Sequence, residues 1–134
     1  MKKILFLVLL IMTVTACGPT KSNILQSTLW GYGKTVRWGT PQEAMNYIAP
    51  EYLKEHPVSK LDLKRFEHVK ISRYMEQGVQ YSPDGLSLSQ TVEISVINIH
   101  TQHERSFIDH QTWKWNEESQ SWLLWSGLPD ITRR

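Results

Sequence analysis

Three histidines in the second half of the chain are the first residues whose type suggests chemistry. His100, His103 and His110 carry imidazole nitrogens, which are common ligands of zinc. His100 and His103 differ in strand parity, so they share a face of a sheet only if a turn begins between them. We therefore interpret the histidines as turn and edge residues, and the sequence predicts neither a metal site nor a cofactor.

Two other arrangements suggest acid–base or nucleophilic catalysis. Asp109 and His110 are adjacent, but neighbours on a strand point to opposite faces, so they cannot act as a dyad. Ser106 and Ser126 lack the elbow motif that exposes a nucleophilic serine. The sequence therefore predicts a protein that is not an enzyme.

Tryptophan is the residue type that stands out, since the chain has six. Each offers a large apolar face and one hydrogen-bond donor, which suits both core packing and ligand binding. Arg37 lies close to two of them, and we expect it to stack on an indole ring or to pair with Glu43. If the tryptophans line a cone rather than a core, the candidate ligand site consists of Arg37, Trp38, Trp113, Trp115 and Trp122.

The first 16 residues have the features of a secretory signal peptide. Lys2 and Lys3 precede an apolar run over residues 4–12, which is shorter than the roughly 20 residues that span a bilayer. The run ends in Val14-Thr15-Ala16-Cys17, which resembles a bacterial lipobox. The resemblance implies cleavage before Cys17 and attachment of lipid to it, with residues 17–22 as a tether to the membrane.

The residue after the cysteine carries a further implication of this resemblance. In Gram-negative lipoproteins an aspartate there retains the protein at the inner membrane, and this chain has Gly18. The resemblance thus implies the periplasmic side of the outer membrane. Cys17 is the only cysteine, so the exported domain forms no internal disulfide.

Charge argues against nucleic acid as a partner. Removal of the leader takes Lys2 and Lys3 away, so that 15 basic residues become 13 and match the 13 acidic ones. The remaining 118 of the 134 residues are formally neutral and offer no basic stripe for phosphates. We expect one domain over residues 23–128, followed by a tail over 129–134.

The first part of this domain has helical signals. Leu25, Leu29 and Tyr32 follow a spacing of three to four residues, and although period two also fits part of the stretch, we predict a helix over 23–38. Thr40 and Glu43 form a capping box for a second helix. A short turn is expected after Pro50, and the sequence predicts that the helical part ends at His56-Pro57.

From His68 onward the apolar period changes to two. The turn signal around Pro83-Asp84 predicts a hairpin with a bulge near Gly78. The hairpin would pair Ile71 with Val96, Met75 with Val92, Val79 with Leu88 and Tyr81 with Leu86. Strands over 106–115 and 121–126 would then place Trp115 opposite Trp122 and Trp113 opposite Leu124.

A second apolar set falls on the reverse face of this sheet. Because two or three short helices cover only one face, we expect a partner protein or a second copy to contact the other. The candidate interface consists of Ile97, Ile99, Ile108 and Trp125, with Leu123 on the same face.

Helices followed by an antiparallel meander predict an α+β fold, with N-terminal helices packed on a curved sheet of about four strands, cone-like in shape. The segment from Tyr32 to Thr40, the capped helix and the closing W-x-W…W-x-x-W pattern resemble the nuclear-transport-factor-2-like (cystatin-like) superfamily. They are also similar to small proteobacterial lipoproteins with an R-W-G segment between two helices. Such folds host enzymes, ligand carriers and structural modules alike, so the fold does not determine the function. The lipobox and the second apolar face favour a membrane-anchored interaction or assembly module, and the alternative is a module that binds a small apolar or amphipathic ligand in the cone.

Overall fold

The computed structural model describes residues 18–134. The leader and Cys17 lie outside the described residues, so the predicted lipidation stays a prediction. Four helices precede four strands in the described part of the chain: α1 Lys21–Trp38, α2 Pro41–Met45, α3 Pro50–Glu55, α4 Lys60–Phe66, β1 Val69–Tyr81, β2 Ser87–Asn98, β3 Glu104–Asn116 and β4 Ser121–Leu124. None of the described helices is long and apolar enough to cross a membrane.

Helix α1 confirms the helical interpretation of its sequence. It begins after Thr20, whose side chain accepts a hydrogen bond from the Asn23 N–H. Its buried residues follow one another at intervals of four, three and one, which gives one apolar face: Leu25, Leu29, Tyr32 and Gly33. A Cβ at Gly33 would lie 2.8 Å from the Tyr74 ring, so this glycine allows the helix to approach β1 closely.

The predicted capping box is present at the start of α2. Glu43 N–H donates to the Thr40 side chain, while the Thr40 N–H donates to the Glu43 carboxylate at 2.7 Å. The prediction that the helical part ends at Pro57 is wrong, because α4 follows. Ser59 caps α4 by accepting from the Asp62 N–H, a short signal that could have been recognised in the sequence.

The sheet is antiparallel, open, and ordered β1–β2–β3–β4. Of the predicted pairs between β1 and β2, Ile71 with Val96 is confirmed and the other three are wrong. Met75 lies opposite Glu93, Val79 opposite Gln90 and Tyr81 opposite Leu88. The reason is that β1 contains two register shifts, between Ile71 and Arg73 and between Glu76 and Gly78. The second confirms the bulge expected near Gly78.

Each bulge moves the following residues to the opposite face. The first turns Met75 to the outer face with Glu93 and brings Tyr74 to the concave face, opposite buried Ile94. The second returns Val79 to the concave side. The alternation that the sequence suggested across β1 is therefore interrupted twice.

The closing strands follow the predicted register. Trp113 pairs with Leu124 and Trp115 with Trp122, although β4 ends at Leu124 rather than at residue 126. Residues 129–134, which the sequence suggested were a tail, return to the sheet. Ile131 is only 5% exposed, and Arg105 donates hydrogen bonds to the main-chain oxygens of Ile131 and Arg133.

Candidate functional site

The concave face of the sheet carries two apolar clusters with polar residues between them. The first cluster packs under α1 and contains Leu25, Leu29, Tyr32, Ala44, Ile48, Leu88, Trp113, Trp122 and Leu124. The second contains Ile71, Val92, Ile94, Val96, Phe107 and Ile131. Between them lies a group that we call the polar belt, consisting of Tyr32, Tyr74, Gln90, Asp109 and Gln111.

Gln111 is the centre of the belt's hydrogen bonds. Its Nε2 donates to the Tyr74 hydroxyl at 3.0 Å and to Asp109 Oδ2 at 2.9 Å. Its Oε1 accepts from the Trp113 indole N–H at 3.2 Å. Every polar group of this buried amide is therefore in use.

Gln90 lies directly opposite Gln111 in the β2–β3 ladder and is equally buried, at 1% exposure. In the described structure, however, neither its Oε1 nor its Nε2 has a hydrogen-bond partner, and the same holds for the Tyr32 hydroxyl. An unmatched buried amide normally costs free energy of folding. Within the belt, the amide of Gln111 on β3 thus has its hydrogen bonds, and the amide of Gln90 on β2 has none.

Burial also shifts the titration of the belt. It raises the pKa of the Tyr32 and Tyr74 hydroxyls, and the charge of Asp109 adds to both shifts. Burial raises the pKa of Asp109 as well, against the opposing effects of the Gln111 hydrogen bond and of the His110 and Arg133 charges. Tyr32 and Gln111 are no more than 1% exposed, so a substrate has no access to them. The belt therefore packs the sheet against α1.

The structure does not bring the five predicted cone residues together. Trp113 is fully buried and Trp122 is 3% exposed, so both are core residues. Trp122 donates its indole N–H to the main-chain oxygen of Lys21, at the first residue of α1. Trp38 ends the same helix, about 26 Å further along its axis.

Trp115, the remaining indole of the five predicted cone residues, packs at the pairing of β3 with β4. Its ring meets that of Trp122 edge-on with centroids 5.7 Å apart, and its N–H donates to Glu117 at 2.6 Å. The cone is therefore filled by tryptophan at the β4 side.

Arg37 and Trp38 lie at the opposite end of the helix, where two recesses open. One is a cavity of about 270 Å³ between α1, α2, α4 and the start of β1, with Val36, Phe66 and Ile71 as apolar lining and Arg37 and Lys70 as cations. Arg37 stacks on the Trp38 ring, its Cζ 4.7 Å from the centroid, which confirms the first of its two expected roles. Glu43, the other expected partner, bonds instead to Thr40.

The second recess is a groove of about 590 Å³ between α1 and β1. We call it the α1–β1 groove; its helix side presents Trp30, Lys34 and Trp38, and its strand side presents Tyr74 and Glu76. Trp30 and Trp38 are 68% and 65% exposed. Lys34 lies over the Trp30 ring at 5.0 Å from its centroid. Neither Trp30 nor Lys34 was among the site residues predicted from the sequence, although their spacing of four residues on a helix was a usable signal.

The two edges of the sheet differ in how they are covered. At the β4 edge, Leu124 accepts from the Ala49 N–H at 2.9 Å and donates to the Tyr47 oxygen at 2.8 Å, and Ile48 forms a parallel bridge with it. The β1 edge is 13 residues long, and no strand of the described part of the chain pairs with its outer side. One edge carbonyl, that of Ser72, accepts a hydrogen bond from Arg37 at 3.1 Å.

The four predicted interface residues lie at separate places. Ile97 and Ile108 occupy the outer face, because they pair with Glu104 and Glu93. Four strand residues, about 13 Å, separate the two along β3. Ile99 belongs to the turn after β2, and Trp125 packs edge-on against Tyr52 under the Lys114 ammonium. They do not form one contiguous patch in a single copy, and their role as an interface stays a prediction.

The histidines lie at the turn and on the outer face. His100 meets His68, with Nε2 and Nδ1 3.0 Å apart, while His110 lies on the outer face opposite Thr91. Across residues 18–134 no group of three or more His, Cys, Asp or Glu side chains is arranged to hold a metal ion. Asp109 occupies the concave face opposite Val92, so the expected separation of Asp109 from His110 is confirmed.

Comparison with known proteins adds little to this geometry. No family model matches the chain, and no curated protein matches it. Among solved structures, the intermembrane-space region of the chloroplast protein ARC6 is similar over 79% of this chain and 90% of that one, with 11% sequence identity and a TM-score of 0.36. A likeness of that size carries no argument about function.

Proposed function

We propose that this protein is a non-enzymatic, lipid-anchored interaction module at the periplasmic face of the outer membrane. The observation that supports an interaction module over a ligand carrier is the filled cone: Trp113 and Trp122 occupy its interior with 0% and 3% exposure. A carrier needs an enclosed apolar cavity, commonly about 300–1,000 Å³. The exposed indoles lie instead in the α1–β1 groove, and one edge of the sheet is open.

The anchor in this proposal rests on the lipobox that ends at Cys17. Helix α1 begins only four residues later, so the tether holds the domain close to the bilayer. Burial of acyl chains at about 0.8 kcal/mol per methylene makes such an anchor stable when more than one chain is attached.

The first prediction tests the anchor. Cys17→Ser should remain an unprocessed precursor that takes up no palmitate analogue, whereas the wild type is labelled and fractionates with the outer membrane. Gly18→Asp is the matched control for sorting, since it keeps the lipid and should move the protein toward the inner membrane. Equal labelling of wild type and Cys17→Ser would exclude the anchor.

A second candidate function has one observation in its favour. The cavity of about 270 Å³ beside Arg37 combines an apolar lining with two cations, which suits the carboxylate and chain of a small amphipathic ligand. Binding of a short-chain fatty acid that Phe66→Trp blocks and that Trp30→Ala leaves unchanged would support it, because Trp30 does not line this cavity.

A further inference from the structure

The α1–β1 groove lies beside the open edge of the sheet. We propose that it binds an extended acidic peptide segment of a partner protein, which adds to β1 as a further strand. The inference rests on the proposed role as an interaction module and names its binding surface and the chemistry of its partner.

The edge offers free main-chain groups for this pairing beyond Glu76, where the lining of the groove on β1 ends. The Ser82 N–H donates to the Ser87 oxygen at 2.9 Å, so the main-chain groups of Ser82 face β2. Because successive residues of a strand alternate in direction, Tyr81 and Val79 direct their N–H and C=O groups to the outer side. They are 59% and 43% exposed. An extended peptide can use such groups, as in other cases of strand addition.

The exposed indoles are spaced to receive side chains of that strand. Trp30 and Trp38 are eight residues apart on α1, which is about 12 Å along its axis. On a strand, side chains four residues apart on the same face are separated by about 13 Å. Two apolar side chains of the added strand can therefore contact one indole each.

The charges of the groove indicate which polar side chains the bound peptide carries. Helix α1 contributes Lys34 and Arg37 to the groove and has no acidic residue, while β1 contributes the one carboxylate, Glu76. Both cations already lie over the indole rings, where an acidic side chain can reach them. Complementarity favours an acidic segment.

The same features disfavour two other occupants. A second copy of the chain would bring its own Lys34 and Arg37 to the groove and place like charges together. A bilayer surface attracts Lys34 and Arg37 by charge, but it presents no row of regularly spaced donors and acceptors to the N–H and C=O groups of Val79 and Tyr81. An acidic peptide can both form hydrogen bonds with the free main-chain groups of β1 and place carboxylates near Lys34 and Arg37.

The second prediction tests the groove with the full lipidated chain in phosphatidylcholine nanodiscs. The probe is a blocked, fluorescent nine-residue peptide that alternates valine with aspartate or threonine, and fluorescence anisotropy measures its binding. Lys34→Glu should weaken binding about tenfold or more through charge reversal. Val79→Pro removes the outward N–H and should weaken binding to a similar extent, whereas Val79→Ala keeps the N–H and should change it less than about twofold. Circular dichroism checks that each variant is folded.

Control probes distinguish strand addition of an acidic peptide from other modes of binding. A peptide with lysine in place of aspartate should bind at least about tenfold more weakly than the acidic one. Equal binding of the two peptides, or equal binding by Val79→Pro and Val79→Ala, overturns strand addition of an acidic segment. If the wild-type chain does not bind the acidic peptide but binds phosphatidylglycerol vesicles in a way that depends on Lys34, the groove is a membrane contact and the inference is overturned. The lipid holds the chain in the nanodisc. A chain that does not remain with the nanodisc therefore shows that the lipid anchor has failed, independently of whether the peptide binds.

Discussion

The β4 side and the β1 side of this sheet use the same kinds of residue for opposite purposes. On the β4 side, Trp113 and Trp122 are buried, Gln111 has all its hydrogen bonds, and residues 47–49 seal the edge. On the β1 side, Trp30 and Trp38 are exposed, Gln90 has no hydrogen-bond partner, and the edge is open along a 13-residue strand. Stability therefore depends on the tryptophans of the β4 side rather than on those of the β1 side, and the β1 side is the one available for binding.

The largest expected effect contrasts two tryptophans from these sides. Trp122→Ala should lower the free energy of unfolding by about 3–5 kcal/mol, because it leaves a cavity in the core and removes the hydrogen bond to Lys21. Trp30→Ala should cost less than about 1 kcal/mol, since it loses mainly a solvent-exposed contact with Lys34. Urea denaturation measures both. Equal midpoints for the two variants would contradict the assignment of stability to the β4 side.

An intermediate effect is expected from the paired glutamines of the polar belt. Gln111→Leu should destabilise the protein by about 1–3 kcal/mol, because Asp109, Tyr74 and the Trp113 N–H lose their common partner. Gln90→Leu should leave stability unchanged or raise it, since the amide it removes has no partner in the structure. Both variants introduce the same side chain at directly opposed positions, so each is the other's control. A loss with Gln90→Leu as large as that with Gln111→Leu would show that the Gln90 amide is satisfied.

The smallest expected effect is a pH dependence from Asp109. Burial raises its folded-state pKa above the unfolded value of about 3.9, so the folded protein binds this proton more tightly. Its ionisation therefore destabilises the fold as pH rises through the folded-state pKa. Asp109→Asn keeps an acceptor for Gln111 and should gain stability relative to wild type as pH rises from about 4. The free energy of unfolding of both proteins is measured across this pH range. A stability advantage of Asp109→Asn over wild type that shrinks as pH rises would contradict the prediction.

Much of the architecture could be predicted from local signals in the sequence. The spacing of Leu25, Leu29 and Tyr32 identified α1, and the Thr40–Glu43 box identified the start of α2. The Trp115–Trp122 pairing followed from the length of a single tight loop. Each of these depends on residues that are close in sequence, where the physical rules act directly.

The predictions that failed depended on contacts between distant residues. The shift between Ile71 and Arg73 turned Met75 outward, and no glycine or proline marks that bulge in the sequence. The cone residues were grouped by type, yet Trp38 and Trp122 lie at opposite ends of α1. The belt was also missed, although Gln90 and Gln111 share strand parity with buried Leu88 and Trp113. Sequence patterns do not show whether an inward polar side chain finds a partner.

The contacts between the two ends of the domain also fix when the protein can fold. Helix α1 buries Leu25 and Leu29 against β4, and Trp122 donates a hydrogen bond to Lys21, 101 positions earlier in the sequence. Ile131 completes the other cluster, beside Ile71. Contacts of such long range slow folding, and they cannot form until nearly the whole chain has been synthesised. A chain that has emerged only as far as β3 lacks Trp122 and Leu124, which cover one part of the apolar face of α1. Apolar segments exposed in this way are prone to aggregate or to bind chaperones. The sequence order of its elements therefore delays completion of both apolar clusters until the last strand and the segment after it have been synthesised.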